Sequence, residues 1–303
     1  MQSSTVTGRI NAKAFELLQQ HPEGLHWSEL LSKIEASDPT FHPKTVNGCV
    51  WKLVEKFPDK VYKPSKGLFR LLKYKSTERL MKNNLNFRKI SSTEPVVEYL
   101  TVVISQHLSK GKRVFWLVPG GSAIRIVTEV AKRLAKEELT NLTVTLTDER
   151  YGPIGHKDSN WAQLEAAGCK LDDANLQPVL VGLSLNETTD SFSKMIKEDL
   201  RQTDYSIALA GMGPDGHIFG IKPKSPAVDS DKLVAGYKWD DFIRLTLTTQ
   251  AIKQLDEVVI YAVGEEKKPQ LDDLSKRIPA TEQPAQILKE LKKVIIFNDY
   301  KSS

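Results

Sequence analysis

Cysteine is scarce in this chain of 303 residues, which holds only Cys49 and Cys169. The two are far apart and sit in or beside stretches with helical spacing, which argues against a disulfide framework and against a thiolate metal site. Long apolar runs are also missing. No segment offers the roughly 20 consecutive apolar residues that a membrane helix needs. The opening MQSSTVTGRI has neither the apolar core nor the cleavage pattern of a secretion signal, so cytoplasmic residence is expected. Internal repeats and low-complexity tracts are absent as well.

What is present is ordinary globular material: 40% apolar and 27% charged residues, enough for a substantial core and two domains. The net charge of +5 is unevenly spread. Residues 1–90 hold 16 Lys and Arg against 8 Asp and Glu, while the remainder holds 27 against 30. Such asymmetry points to two modules with different partners.

The first module is expected over residues 1–75. Ala14, Phe15, Leu17 and Leu18 have helical spacing, and His21-Pro22-Glu23-Gly24 supplies the stop. Ser28 is placed to cap a second helix. A third runs from about Lys44 to Phe57, with Val46, Val50, Trp51, Leu53 and Val54 on its buried side. VYKPSKGLFRLL then reads as a hairpin with Pro64, Ser65, Lys66 and Gly67 at its tip. Three helices and a basic hairpin resemble a winged helix-turn-helix domain, whose third helix enters a DNA groove while the hairpin touches the backbone. Lys44, Asn47, Lys52 and Lys56 on the helix, with Lys60, Lys63, Lys66 and Arg70 on the wing, are the expected phosphate contacts. A protein-docking module with solvated lysines is the competing reading. Residues 76–92 are expected to be a linker, with a short helix around Glu78 to Lys82.

From residue 93 helices and strands alternate. Helices are expected over Glu94–Ser109 and Ala123–Lys136, and strands at Val114–Val118, Leu142–Thr147, Pro178–Val181, Tyr205–Ala210, Arg244–Thr248, Val258–Val263 and Val294–Phe297. Strands apolar almost throughout, alternating with helices, imply an α/β fold with a mostly parallel, doubly wound sheet. In such sheets ligands gather beyond the carboxyl ends of the strands.

Three segments fall there. Gly120-Gly121-Ser122 lies between a strand and a helix start, a combination that cradles anions, although this turn fits neither the P-loop nor the dinucleotide pattern. Asp148-Glu149-Arg150 ends a strand, and Asp158, Ser159 or Asn160 can cap the next helix. Two adjacent buried acids need partners, which Arg150 and a bound polyol would supply. Finally, the run ALAGMGPDGHIFGIKP (208–223) sets Asp215 two residues before His217, among Gly211, Gly213 and Gly216. An imidazole held by a carboxylate is the raw material of a general acid/base.

Taken together, these segments resemble the 6-phosphogluconolactonase and glucosamine-6-phosphate deaminase family, over about residues 93–303. Arg244 in RLTLT, Lys267 after Gly264, and a last strand ending near Asp299 agree with it. The resemblance implies a sugar-phosphate isomerase-like fold and a phosphosugar ligand. Its phosphate would lie on Gly120, Gly121 and Ser122 beside Lys267, Arg150 and Arg244. It further implies that His217, oriented by Asp215, activates water, with Asp148 and Arg150 in the catalytic set. Glu149, His156, Ser159, Asn160, Gly211, Gly213 and Gly216 would complete the sugar-binding surface, and no metal or organic cofactor is implied.

Departures narrow the choice. The family's deaminases carry Glu before Pro where this chain has Lys222 before Pro223, so a carboxylate needed for their chemistry is missing. The DER…P…H…SN segment also looks more like the lactonases. Those usually continue Asp-Gly-His-Thr-Ala-Ser-Leu-Phe-Pro, however, so Phe219 and Lys222 are expected to reshape the pocket. A helix-turn-helix regulator sensing a sugar phosphate is the alternative from another class.

Overall fold

The computed structural model describes residues 5–21, 24–74 and 84–303. The chain divides into two compact units, Met1–Lys82 and Asn83–Ser303. The short helix expected around Glu78 to Lys82 lies outside the described residues.

In the first unit, helix α1 (Val6–Gln20) starts where the Thr5 side chain accepts the Gly8 N–H, and it buries Ile10, Ala14, Leu17 and Leu18. Strand β1 (Leu25–His26) precedes α2 (Trp27–Ser37), whose N-cap is His26, not the expected Ser28. The reason is the sheet. β1 pairs with β3 (Leu68–Leu71), and the Trp27 N–H donates to Gly67, so the chain turns into helix directly after His26. The third helix is two pieces, α3 (Pro43–Trp51) and α4 (Leu53–Lys56), broken at Lys52. Strand β2 (Val61–Ser65) completes an antiparallel sheet of order β1-β3-β2.

Two further expectations fail in this unit. Trp51 is 67% exposed, because the buried stripe is Val46, Cys49, Val50 and Leu53, and a residue one step past Val50 is rotated about 100° away from it. Arg70, expected to face nucleic acid, is 3% exposed. It sits on the central strand β3 opposite Tyr62, whose hydroxyl lies 3.5 Å from its guanidinium.

The second unit is built on a seven-stranded parallel sheet of order β4-β13-β12-β9-β5-β6-β8. Its strands are β4 (Leu85–Lys89), β5 (Val114–Val118), β6 (Leu142–Leu146), β8 (Asn175–Leu176), β9 (Tyr205–Gly211), β12 (Glu257–Ala262) and β13 (Val294–Asn298). β5, β12 and β13 are buried at every position. Successive side chains face opposite ways, so both faces of the sheet are covered there. Helices α5 (Glu94–Leu108) and α6 (Ile124–Leu134) pack against each other; α7 (Asn160–Ala166), α8 (Leu185–Gln202), α9 (Thr249–Ile252) and α10 (Lys268–Asp273) follow.

Three differences from the sequence reading concern strands. β4 falls inside the expected linker of residues 76–92 and pairs with β13, so the sheet begins earlier in the chain than residue 93. Residues 178–181 form no strand; the edge is the two-residue β8, which pairs with β6. The strand around Arg244 does not join the parallel sheet. As β11 (Ile243–Leu247) it lies between β10 (Val234–Lys238) and β7 (Asp148–Arg150) in a separate antiparallel sheet.

After β5 the chain adds β6 and β8 on one side, then returns to place β9, β12 and β13 on the other. The carboxyl ends of β5 and β9 therefore flank the point where strand order reverses, which is where open α/β sheets take ligands. Both cysteines are free thiols whose pKa burial pushes upward. Among the described residues no helix is long and apolar enough to cross a membrane.

Candidate active site

A cavity of about 430 Å³ opens at that reversal point, a size suited to a small ligand. β5 delivers Pro119, Gly120, Gly121 and Ser122 to it, and β9 delivers Gly211, Met212 and Gly213. Thr147, Asp148 and Arg150 enter from the β6 to β7 segment, and Arg244 from β11. His217, Lys222 and Lys267 complete its polar lining with Asn160, Asp241 and Glu266.

One side of the cavity carries the Gly120 to Ser122 turn. No side chain caps the 3₁₀ turn Gly121–Ala123 or the start of α6 that follows it, so the first N–H groups remain available to a ligand. Gly120 is required for contact, since a Cβ there would lie 1.9 Å from Asn160 Oδ1. Asn160 donates Nδ2–H to the Asp148 carbonyl at 2.9 Å, and its own buried Oδ1 has no partner among the described residues.

Positive charge faces this turn from the antiparallel sheet. Arg150 and Arg244 are register partners on β7 and β11, and both guanidinium groups lie against the Phe242 ring, at 4.5 and 5.7 Å. Asp241 holds Arg244 at 2.6 Å, which offsets the cost of placing two cations side by side. Arg150 donates to the Asp158 carbonyl at 3.1 Å. Lys267 reaches the cavity with a side chain only 15% exposed.

His217 and Lys222 line the cavity, whereas Asp215, also expected at the site, lies outside the lining and contacts both. Asp215 Oδ1 lies 2.5 Å from His217 Nδ1 and also accepts the His217 backbone N–H at 3.2 Å. Lys222 Nζ lies 3.2 Å from Asp215 Oδ2. Burial pushes the Asp215 carboxyl upward, but the His217 ring, the His217 N–H and the Lys222 ammonium outweigh it and hold the group well below the usual carboxylate range. Gly213 is the second glycine that contact requires: a Cβ there would sit 2.1 Å from His217 Nδ1.

Several residues expected at the site lie outside this lining. Glu149 is fully buried and accepts four hydrogen bonds, from the backbone N–H groups of Arg150, Asn160 and Trp161 and from the Ser159 hydroxyl. It therefore anchors the start of α7. The expected pairing of Glu149 with the Arg150 side chain does not occur, and burial pushes its carboxyl pKa up against those four donors. Ser159 caps α7 by accepting the Ala162 N–H. His156 Nε2 meets the Arg150 carbonyl at 2.8 Å and braces the loop. Gly216 backs onto Gln283 and Gln270.

Other residues line the cavity without having been expected there. Asp241 and Phe242 sit in the β10 to β11 turn, and their signal in the sequence was only their nearness to Arg244. Glu266 precedes Lys267, and Met212 lies between two expected glycines. Phe219 and Lys222, the departures from the family pattern, both line the cavity. Among the described residues no cluster of three or more His, Cys, Asp or Glu side chains could hold a metal ion.

Known proteins resemble this chain in sequence and in fold. The family model for glucosamine-6-phosphate isomerases/6-phosphogluconolactonase matches residues 89–296. A 6-phosphogluconolactonase of Thermotoga maritima is 26% identical over 210 residues, spanning 67% of this chain and 91% of the relative. One from Caulobacter vibrioides is 28% identical over 214 residues, spanning 64% of this chain and 85% of the relative. The crystal structure of a 6-phosphogluconolactonase from Thermotoga maritima superposes with a TM-score of 0.61 at 23% identity, covering 71% of this chain and 98% of its own. A monomeric glucosamine-6-phosphate deaminase gives 0.57 at 16% identity, covering 71% and 97%. With more than half of its length matched by the family model, the chain belongs to the glucosamine-6-phosphate isomerase/6-phosphogluconolactonase family.

Proposed function

We propose that this protein hydrolyses 6-phosphogluconolactone to 6-phosphogluconate, a step of the pentose phosphate pathway. The observation that carries the reading is the shared cavity: an anion-holding turn at 120–122 and an imidazole held by Asp215 line the same 430 Å³ space. The phosphate rests on the Gly120 to Ser122 turn with Lys267, Arg150 and Arg244 balancing its charge. Asp148 receives a sugar hydroxyl.

His217 Nδ1 and Asp215 Oδ1 lie so near each other that a proton must stand between them, which leaves Nε2 to accept one from water. As that proton leaves, the water oxygen bonds to the lactone carbonyl carbon and the carbonyl oxygen becomes an oxyanion. Arg150, which lines the cavity, is a donor for it. The oxyanion then reforms the carbonyl, the bond from carbon to ring oxygen breaks, and His217 returns the proton to that oxygen. The product is a carboxylic acid, which ionises in water. A positioned base of this kind typically contributes about 10²- to 10⁴-fold.

Two observations favour hydrolysis over deamination. The relatives of highest identity here carry the lactonase name, and a cation, Lys222, stands where a deaminase needs its carboxylate. Parallel assays separate the two. Purified protein is expected to accelerate 6-phosphogluconolactone hydrolysis and to leave glucosamine 6-phosphate unchanged; ammonia release without lactone hydrolysis would reverse the assignment.

A second role is proposed for residues 5–74, a winged-helix-like unit that contacts nucleic acid phosphates. Lys44, Asn47, Lys52, Lys56, Lys63 and Lys66 are all exposed, and Trp51, bare to solvent, has the Lys63 ammonium 5.5 Å from its ring. Binding to duplex DNA is expected to fall steeply as salt rises from about 50 to 200 mM. A mobility-shift titration without any retarded species at low salt would dismiss it.

A further inference from the structure

The group least explained by the proposed reaction is Lys222. Its side chain is 15% exposed, it lines the cavity, and its Nζ lies 3.2 Å from both Asp215 Oδ2 and His217 Nδ1. Since Nδ1 carries the proton shared with Asp215, it has no lone pair to accept from Lys222. The ammonium therefore donates to the carboxylate, as the distance to Oδ2 allows.

The backbone between His217 and Lys222 is shaped to bring that ammonium back. Phe219 and Gly220 are both left-handed, with φ of 55° and 79°. A phenylalanine in this region is strained, and such strain persists only where surrounding contacts impose it. Here they do: the Phe219 carbonyl accepts from buried Thr246, and the Tyr237 hydroxyl donates to the Gly220 carbonyl at 2.6 Å. The Lys222 N–H in turn reaches the Tyr237 oxygen at 3.3 Å. The two left-handed residues fold the chain back on itself, with Ile221 N–H donating to the Ile218 carbonyl, and this returns residue 222 to the side of 215 and 217.

The geometry points to Lys222 as a positioning residue: by gripping the outer oxygen of Asp215 it fixes the inner oxygen on His217 Nδ1 and so holds the ring in the tautomer that leaves Nε2 open. The Asp215 side chain is 40% exposed. Without Lys222 its outer oxygen bonds to water, and the carboxylate is free to turn. The inference rests on the proposed hydrolysis for its kinetic readout but not for its spectroscopic one.

The test uses the full chain with Lys222→Met and Lys222→Arg. Lactone hydrolysis is followed by kcat and KM, and the nitrogen shifts of the His217 ring are read by NMR, assigned against His217→Ala. In the parent, Nδ1 is expected protonated and Nε2 bare. In Lys222→Met the two nitrogens move toward an averaged mixture, and kcat falls on the order of 10²-fold with KM little changed, the loss that a small misplacement of a catalytic group produces. Lys222→Arg, which keeps a cation, restores most of the kcat and the single tautomer, and thermal melts of both variants check that the fold stands. Wild-type kcat and tautomer in a folded Lys222→Met protein would overturn the assignment. A raised KM with kcat intact would overturn it too, by making Lys222 a substrate contact. If no variant and no parent hydrolyses the lactone, the proposed function fails, and the ring nitrogens still decide the role of Lys222.

Discussion

At the scale of single residues, chemistry and architecture divide two neighbouring acids. Asp148 lines the cavity, whereas Glu149 is buried beneath it with four donors and no acceptor pointed at it. Replacing Glu149 with Gln turns an amide N–H₂ toward those donors. The expected cost is about 2 kcal/mol of stability, the usual penalty for leaving buried polar groups unmatched; chemical denaturation of Glu149→Gln checks it. Gly213 makes a sharper prediction. Because an added Cβ would overlap His217 Nδ1, Gly213→Ala is expected to lose most of its turnover while Tm changes far less. The sequence announced the glycines, Asp215 and His217, because those residue types at that spacing form a recognisable motif. It did not separate Asp148 from Glu149, since adjacent strand residues face opposite ways and nothing in their identity says which face is the cavity.

At the scale of elements, the central strands are tied at their amino ends. Arg113, just before β5, donates its backbone N–H and two guanidinium N–H groups to Asp204, just before β9. Those hydrogen bonds pull the Asp204 carboxyl down to about 2. The folded-state value lies below the ordinary aspartate value near 3.9, so the pair's contribution is present above about pH 4 and is lost as pH falls toward 2. Asp204→Asn is expected to flatten that part of the stability profile, measured as urea midpoints across the acid range; both groups are exposed, so the effect is modest.

The strands most legible in the sequence are those apolar over nearly all of their length, β5, β9, β12 and β13, whose boundaries fall within a residue or two of expectation. β4, with its charged and polar positions at the sheet's edge, read as linker. The segment around Arg244 read as a strand but not as a partner of β7, because periodicity reports burial and says nothing about which strand lies alongside. That pairing sets Arg150 beside Arg244 and brings the Asp241 to Phe242 turn to the cavity. For the same reason the turn left no motif.

For the whole molecule, the two units have separate cores, one centred on Leu18, Leu30 and Val50, the other on the parallel sheet. Among the described residues, all those lining the cavity lie between Pro119 and Lys267. A chain beginning at residue 84 is therefore expected to fold and to hydrolyse the lactone with kcat/KM close to that of the full chain; an inactive, well-folded fragment would show that the first unit takes part in turnover.

The central claim is that His217 acts on a phosphosugar lactone seated on the 120–122 turn. It is tested most directly by one paired measurement on His217→Ala: the rate of 6-phosphogluconolactone hydrolysis and the affinity for 6-phosphogluconate by calorimetry. The expected result is turnover reduced by about 10²- to 10⁴-fold, the share of a positioned base, with product affinity nearly unchanged because the anion-holding wall is intact. Undiminished hydrolysis in the variant would contradict the account.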